Sequence, residues 1–421
     1  MVMIYVASGF FSTLARSEIL VGLAQIDITP PIGGTTAGYA SAEPTVGVHD
    51  QLTARVIVLQ SDDRCIAIAA CDLCVYNSEY LYDQMDALGV DQFLLQNTHT
   101  HSGPNTRDKD FPSVEHPWTR SIDEKIVEAI RSAKDNLFVG RFAAGEGILQ
   151  LGYNRLIHRG KHAVTFFENP NRIPYGQVDP QVGVIRITDD QDTVRGVLIN
   201  YACHPVVLGP RNRMISSDYP GVTRDLIEES MGDSCMCIFL QGAAGDINPL
   251  FLARGEEREM DFEVVQAMGA ALADEVKRTL MLMQDSAGKS DSFTYRSTRE
   301  TFRHRFQPDQ KLELGATTLL INDDIALTTM PGEPFHCFAK DFREKSDVPH
   351  AYLLGYCSNG DYEWAQYLPD LLSAARGGYG ASDTTVAEVG AGEQLVNRGL
   401  VQLFEMQSRL KAQQQRHTFE D

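Results

Sequence analysis

The stretch Phe93-Leu-Leu-Gln96-Asn-Thr-His99-Thr-His101-Ser-Gly-Pro104 runs from a short apolar strand straight into two imidazoles and a turn. The same passage occurs twice more. Gly196-Val-Leu-Ile-Asn200 ends in Tyr201-Ala-Cys-His204-Pro205, and Ile325-Ala-Leu-Thr-Thr329 ends in Met330-Pro-Gly-Glu333-Pro334. Strands that carry polar groups at their carboxyl ends are the pattern of open α/β sheets, where ligands bind outside those ends. Working outward, apolar β-rich runs are predicted at 52–59, 65–70, 93–96, 183–187, 196–200, 236–241, 312–321, 325–329 and 351–355. Helical spacing is predicted at 121–136, 221–229, 262–283, 334–343 and 392–410. In the first of these helices, Ile122, Ile126, Val127 and Ile130 form one core-facing stripe. The alternation predicts an α/β fold of layered mixed β-sheets flanked by helices, with a metal site at strand C-terminal ends.

The metal reading follows from the residue types. His99, His204 and Glu333 supply two imidazoles and a carboxylate, a set that suits a catalytic zinc with room left for water. His99 and His101 are two apart, so on an extended segment they point the same way, one able to bind metal while the other acts as base. Each signal alone has a bland alternative, since a His before Pro is usually a hydrogen-bonded turn residue. Their joint placement after three buried strands favours the site. Gln241-Gly-Ala-Ala-Gly-Asp246-Ile-Asn248-Pro249 is a Gly-rich turn after a strand, able to approach a ligand closely or cradle an anion. It lacks the lysine and spacing of a P-loop. Ser216-Ser-Asp218 can cap the helix that follows. No GxSxG elbow is present, which weakens a serine-hydrolase reading.

Composition narrows the classes. Of 421 residues, 57 are acidic and 37 are Lys or Arg, a formal charge of −20 that disfavours nucleic acid and anionic membrane as primary partners. A 43% hydrophobic share excludes a mainly disordered chain. The eight cysteines are too sparse for a disulfide scaffold, and several sit in apolar runs. Reduced thiols suit a reducing compartment, so the expectation is cytoplasmic, with secreted or periplasmic as the alternative. Met1 to Ala15 is apolar but has no basic residue before Arg16, which makes it a weak signal-like segment. No stretch is long and charge-free enough for stable membrane insertion. The expected organisation is an N-terminal extension over 1–20, a single catalytic domain over 21–410 and a polar tail over 411–421. The stretch 146–179 is rich in Gly, Asn and Arg with little period, and reads as a long functional loop. A homo-oligomer is compatible with all of this.

Taken together, several motifs resemble the neutral (non-lysosomal) ceramidase family. They are Asp27-Ile-Thr-Pro30, Gly38-Tyr-Ala40, Ala69-Ala-Cys-Asp72, Thr98-His-Thr-His-Ser-Gly-Pro104 and Asn154-Arg155. They continue with Val178-Asp-Pro180, Asn200 to Pro205, Ser216-Ser-Asp218, Gly245-Asp246 with Pro249, Pro331-Gly-Glu333, and Tyr367 with Tyr379. They run in family order from about residue 21 to residue 405, and the Thr-His-Thr-His-Ser-Gly-Pro run is specific. The resemblance implies a zinc-dependent hydrolase of N-acyl amides with one Zn2+ per chain. It implies His99, His204, Glu333 and Tyr367 as ligands, with Tyr356 and Tyr362 as rivals to Tyr367. It also implies His101, Arg155 and Tyr379 around the attacking water and the scissile carbonyl. His101 then moves the proton, while Arg155 and Tyr379 stabilise the oxyanion. Asp72, Ser102, Asn154, Asp218, Asp246 and Asn248 are expected near the site as binding or structural residues.

Two departures bear on substrate. The family's Gly-Asp-Val-Ser-Pro turn reads Gly245-Asp-Ile-Asn248-Pro249 here, and Asn248 has no hydroxyl to act as nucleophile. The chain is also expected to lack the family's C-terminal immunoglobulin-like domain and any apolar insertion for docking on lipid. A small soluble amide is therefore the expected substrate. The alternatives are a ceramidase proper, a zinc esterase or lactonase (or a sugar-derivative hydrolase), and a non-catalytic binding module on the same fold.

Overall fold

The computed structural model describes residues 18–40, 43–61, 64–252, 258–283, 292–358, 360 and 364–410. Most of the expected N-terminal extension, the polar tail and Tyr362 lie outside the described residues.

Three times the chain forms an antiparallel pair and then crosses through a helix to a parallel strand. The first sheet holds β1 (Leu20–Asp27), β2 (Thr53–Ser61), β3 (Arg64–Cys71) and β4 (Gln92–Asn97), with Phe138–Val139 and Cys357–Ser358 on its edges. β2 and β3 are antiparallel, and helix α1 (Glu79–Leu88) carries the chain to β4, parallel to β3. Helix α2 (Trp118–Asp135) follows.

The second sheet has the order β8-β7-β6-β5, from β5 (Arg141–Ile148), β6 (Gln181–Thr188), β7 (Val194–Tyr201) and β8 (Met236–Gln241). Helix α3 (Asp218–Met231) makes the crossover between parallel β7 and β8, and α4 (Arg258–Leu282) comes after. The third sheet runs β9 (Phe293–Arg303), β10 (Lys311–Ile321), β11 (Ile325–Thr329) and β12 (His350–Leu354). Its crossover is α5 (His336–Ser346), between parallel β11 and β12. The short α6 (Leu371–Arg376) and α7 (Ala391–Met406) complete the chain.

The sequence explains why the sheets stack. Successive strand side chains point to opposite faces, so a strand buried on both faces reads as a continuous apolar run. In β3, Ile66, Ile68 and Ala70 face a central core, while Cys65, Ala67, Ala69 and Cys71 face the helices. In β8, Ile238 and Leu240 take the central side and Cys237 and Phe239 the helix side. In β11 the split is Ile325 and Leu327 against Ala326. One central core therefore joins the inner faces of all three sheets, and helices cover the outer faces. The α2 stripe of Ile122, Ile126, Val127 and Ile130 lies in the outer layer of the first sheet, as its spacing predicts. Each such side chain stabilises by about 1.5–3 kcal/mol relative to exposure.

Three long strands were not predicted: β1, β5 and β9. In β9, exposed Arg296, Ser297, Arg299, Thr301 and Arg303 break up its apolar residues, so no apolar run marks it. Helix α1 buries only Leu81 and Met85 and lacks a full stripe. The predicted loop at 146–179 is partly ordered as strand: β5 runs to Ile148, and Gly152–Asn154, Leu156–Arg159 and His162–Thr165 are short strands. Backbone pairing supplies the order there, not an apolar period.

The carboxyl ends of the parallel pairs are stitched together by buried amides. Gln96 Nε2 donates to the carbonyls of Gln241 (2.9 Å) and Gly355 (3.2 Å). Gln241 Nε2 donates to those of Thr98 and Cys203, both at 3.0 Å. Asn200 Nδ2 donates to Leu240 (3.0 Å) and Leu353 (3.2 Å). Each sheet end is thereby pinned to another, and the three polar clusters meet there. Among the described residues, no helix is long and apolar enough to cross a membrane.

Candidate metal centre and active site

His99, His204 and Glu333 come together at this junction, all buried, with one ligand atom of each lying within 4.8 Å of the others. Glu333 Oε2 is 3.2 Å from His204 Nε2 and 3.4 Å from His99 Nε2. The other ring nitrogens are already committed. His99 Nδ1 donates to the Cys74 carbonyl at 2.6 Å, and His204 Nδ1 donates to that of Ala244 at 2.7 Å. A carbonyl can only accept, so each Nδ1 carries the hydrogen and each Nε2 presents a lone pair. Two lone pairs and a carboxylate oxygen converging in a buried space repel unless a cation or proton lies between them. This donor set fits a metal ion. A second grouping, Cys74 with His99 and His101, is the poorer one, because His99 Nδ1 is occupied by the Cys74 carbonyl.

Titration follows the same geometry. Burial alone would raise the Glu333 carboxyl, but the His99 and His204 imidazoles outweigh it and hold it well below the usual range. Burial, with the nearby Arg155 charge, lowers His204 to about 4. For His99 burial is outweighed by Cys74 and Glu333, and its value rises to about 10: where no cation neutralises Glu333, a proton on His99 Nε2 does so.

The backbone around this cluster is specialised. His99 has φ 71°, so the Thr98–Thr100 segment turns instead of running extended as expected. The two imidazoles still meet, with His101 Nε2 3.1 Å from His99 Nε2. Gly38 (φ +83°) makes room for His101, because a Cβ there would stand 2.2 Å from the His101 ring. A Cβ on Gly245 would lie 2.3 Å from the Glu333 carbonyl oxygen. The Gly-rich turn thus approaches the backbone that carries Glu333, not a ligand.

Other expected residues prove to be supports. Asp72 accepts from Arg224 Nη1 and Nη2, both at 2.7 Å, and from Thr53 N at 2.9 Å. It lies two residues before Cys74, whose carbonyl orients His99. Ser102 Oγ accepts from Asn212. Asn154 Nδ2 donates to Asp246 at 2.7 Å, and Asp246 also accepts from the backbone and Nδ1 of His336. Burial pushes Asp218 up to about 7, even though Tyr219 N and Leu208 N hydrogen-bond to it. Of the expected Ser216–Asp218 cap, Ser217 makes no side-chain cap, whereas Ser216 Oγ accepts from Asp218 N at 3.0 Å; both serine hydroxyls donate to Asp50.

The His99–His204–Glu333 cluster opens on a cavity of about 950 Å³ whose wall includes His101, Arg155, His204, Asn248, Tyr367 and Tyr379. Arg155 donates from Nη2 to the Gly245 carbonyl (2.6 Å) and from Nη1 to Asn248 Oδ1 (3.1 Å). Its Nε is buried with no hydrogen-bond partner among the described residues. Asn248 therefore holds Arg155. The guanidinium lies 5.3 Å from the Tyr367 ring centre and 5.1 Å from that of Tyr379. Tyr367 reaches this place because Glu333–Pro334 and Tyr367–Leu368 pair as parallel strands, with Glu333 opposite Tyr367. Burial, with the Glu333 charge, raises both phenols above their ordinary value, so they stay protonated donors. Tyr356 brackets Glu333 from the other side, its hydroxyl 3.5 Å from Oε2. Sequence reasoning missed His336 and the cavity residues Phe167, Arg172 and Arg211, which no motif marks.

Residues 19–281 match the model of the neutral/alkaline non-lysosomal ceramidase N-terminal region. The chain belongs to that family. The family match spans His99, His101, Arg155 and His204, and stops before Glu333, Tyr367 and Tyr379. Among relatives in the family, the neutral ceramidase of Pseudomonas aeruginosa is 25% identical over 255 residues, 54% of this chain and 36% of that protein. Neutral ceramidase 1 of Arabidopsis thaliana is 25% identical over 236 residues, 51% of this chain and 30% of its own length. The matched part is thus about a third of these relatives' length. The crystal structure of the Pseudomonas aeruginosa enzyme superimposes with a TM-score of 0.73 over 94% of this chain and 76% of that chain, at 17% identity. At that identity the likeness speaks for the fold.

Proposed function

We propose that this ceramidase-family chain is a zinc-dependent hydrolase that cleaves the C–N bond of an N-acyl amide at the cavity floor. The observation that carries the reading is the convergence of the His99 and His204 Nε2 lone pairs on the Glu333 carboxylate, beside a cavity lined with proton-transfer and donor groups. Two imidazoles and a carboxylate are a catalytic zinc set, with Tyr367 as the adjoining oxygen donor and Tyr356 as its rival. A bound zinc ion supplies Lewis-acid polarisation of the carbonyl and lowers the pKa of water toward neutrality.

The protein's own groups supply the rest. His101 stands beside His99 on the cavity wall, where it can take a proton from the attacking water. As the water oxygen bonds to the acyl carbon, Arg155 and the Tyr379 hydroxyl hold the negative charge that grows on the carbonyl oxygen. Asn248 and the Gly245 carbonyl fix the Arg155 fork in advance. When the C–N bond breaks, His101 returns its proton to the leaving nitrogen, and the products are a carboxylate and an amine. The relatives' names suggest a sphingolipid amide; Asn248 in place of the family's serine favours a soluble one.

Metal content and amide hydrolysis should fall together in His99→Ala and His204→Ala, with the wild type near one zinc per chain. Full zinc retention in both variants would sink the site. Matched esters and lactones separate an esterase, and a zinc-loaded chain inert to all of them would be a binding module.

A further inference from the structure

We propose that Asn248 is a positioning residue whose side-chain amide locks the Arg155 fork at the cavity floor to the Phe167 wall, so that one side chain sets both charge stabilisation and substrate fit. The inference rests on the hydrolase reading and adds the residue that couples its two halves. Asn248 is buried in the short strand Ile247–Pro249, which pairs antiparallel with Gly152–Asn154 and sets Asn248 opposite Tyr153. Side chains directly opposite in such a pair stand on one face. Here both end at the same place. The Tyr153 hydroxyl donates to the carbonyls of Phe166 and Phe167, both at 3.0 Å, and Asn248 Nδ2 donates to that of Phe167 at 3.4 Å. A carbonyl oxygen has two lone pairs and can take both donors.

The other end of the amide faces the floor, where Arg155 Nη1 donates to Asn248 Oδ1 at 3.1 Å. A guanidinium can only donate and a carbonyl can only accept. Both neighbours therefore require the same orientation of the amide, oxygen to Arg155 and nitrogen to Phe167. Leucine has the shape without either polar atom, and serine has one polar atom, a bond closer to the backbone. The two parts tied by Asn248 also touch each other. Phe166 N donates to the Arg155 carbonyl at 2.7 Å, and the Phe167 ring centre lies 5.8 Å from the guanidinium. The same ring meets Tyr379 edge to face at 5.0 Å. Phe167 is half exposed on the cavity wall, where its ring offers an apolar arm of the substrate a surface to pack on. Released from Asn248, the fork can turn away from the reacting carbonyl and the ring can swing off the wall.

The test uses the zinc-loaded chain and three probes. N-acetylethanolamine is short on both sides; N-octanoylethanolamine and N-acetyloctylamine each carry one long arm, so one arm lies on the wall whichever way the amide is seated. In Asn248→Leu, kcat should fall about tenfold to a hundredfold on every probe, the effect of a misplaced charge stabiliser. KM should rise about fivefold on at least one long probe, the worth of one hydrogen bond, and stay put on the short one. Tyr153→Phe loosens the wall and leaves the Arg155 fork bonded, so it should raise the same KM and keep kcat within about twofold. A general loss of packing does not produce this split. Asn248→Ser should behave as Asn248→Leu does, and replaces it if the leucine chain fails to fold. The proposal is overturned by a kcat within about twofold of wild type, by long-probe KM values that do not move, or by Tyr153→Phe lowering kcat as far as Asn248→Leu. If the wild type cleaves none of the probes, the hydrolase reading fails instead. Crystal structures of wild type and Asn248→Leu then decide the tie: fork and ring displaced together sustain it, and either one left in place overturns it.

Discussion

Asp72 and Glu333 are both carboxylates buried near the junction of the three sheets, and their surroundings are opposite. Asp72 meets hydrogens: two from Arg224, one from the Thr53 amide and one from the Thr53 hydroxyl at 3.0 Å. Those donors outweigh burial and hold its carboxyl below the usual range. Glu333 faces two Nε2 atoms whose rings already give their Nδ1 hydrogens to carbonyls, so only an added proton or a cation can join the three. Burial alone therefore says little about function. What separates a brace from a ligand is whether the protein completes the hydrogen bonds of the buried group or leaves that to a cation.

The largest effect should fall on the brace. Asp72→Ala strands the Arg224 guanidinium, which is itself only 2% exposed, and should cost about 3–5 kcal/mol of stability. Urea unfolding measures it, and added zinc should still raise the melting temperature of whatever folds. A loss under 1 kcal/mol would break the contrast from the Asp72 side. Next comes Glu333, the proposed ligand. Wild-type stability should rise by about 2.7 kcal/mol when free zinc is a hundred times its Kd, and Glu333→Gln should lose that gain. The contrast breaks from this side if the variant melts as high with zinc as the wild type does.

The same contrast explains what the sequence made legible. Strand positions such as Ile66, Ile68, Ile238 and Ile325 announce themselves by their apolar runs, because both faces of their sheets are covered. His99, His204 and Glu333 could be read because each follows such a run. Ligands set at the ends of paired strands inherit the strand's signal. Arg155, Tyr367 and Tyr379 were visible only through family resemblance. They reach the cavity from the short strand pairings and turns of 152–165 and 367–379, which carry no period. The recurrence of pair, helix and parallel strand was likewise hidden, since topology repeats where residues do not.

A third buried carboxylate stands between the two cases and yields the smallest predicted effect. Asp246 is satisfied like Asp72, but its main partner, His336, can lose its charge. His336 donates from Nδ1 at 2.7 Å and from its backbone at 2.9 Å, and the Asp246 carbonyl accepts from the Arg155 amide at 2.9 Å. Burial would lower His336, but Asp246 outweighs it and raises it; burial would raise Asp246, but His336 outweighs it and holds it low. A raised histidine stabilises fully below its unfolded value, about 6.5, and loses that contribution as pH climbs through its folded value. A lowered aspartate stabilises above its unfolded value, about 3.9, and loses that contribution as pH falls through its folded value. The stability gap between wild type and His336→Gln should therefore be widest between about pH 4 and 6.5, at about 1.5 kcal/mol. It should narrow toward alkaline pH as His336 deprotonates. A gap that is flat or grows from pH 6 to 9 would show that His336 packs as a neutral ring, and Asp246 would then belong with neither Asp72 nor Glu333.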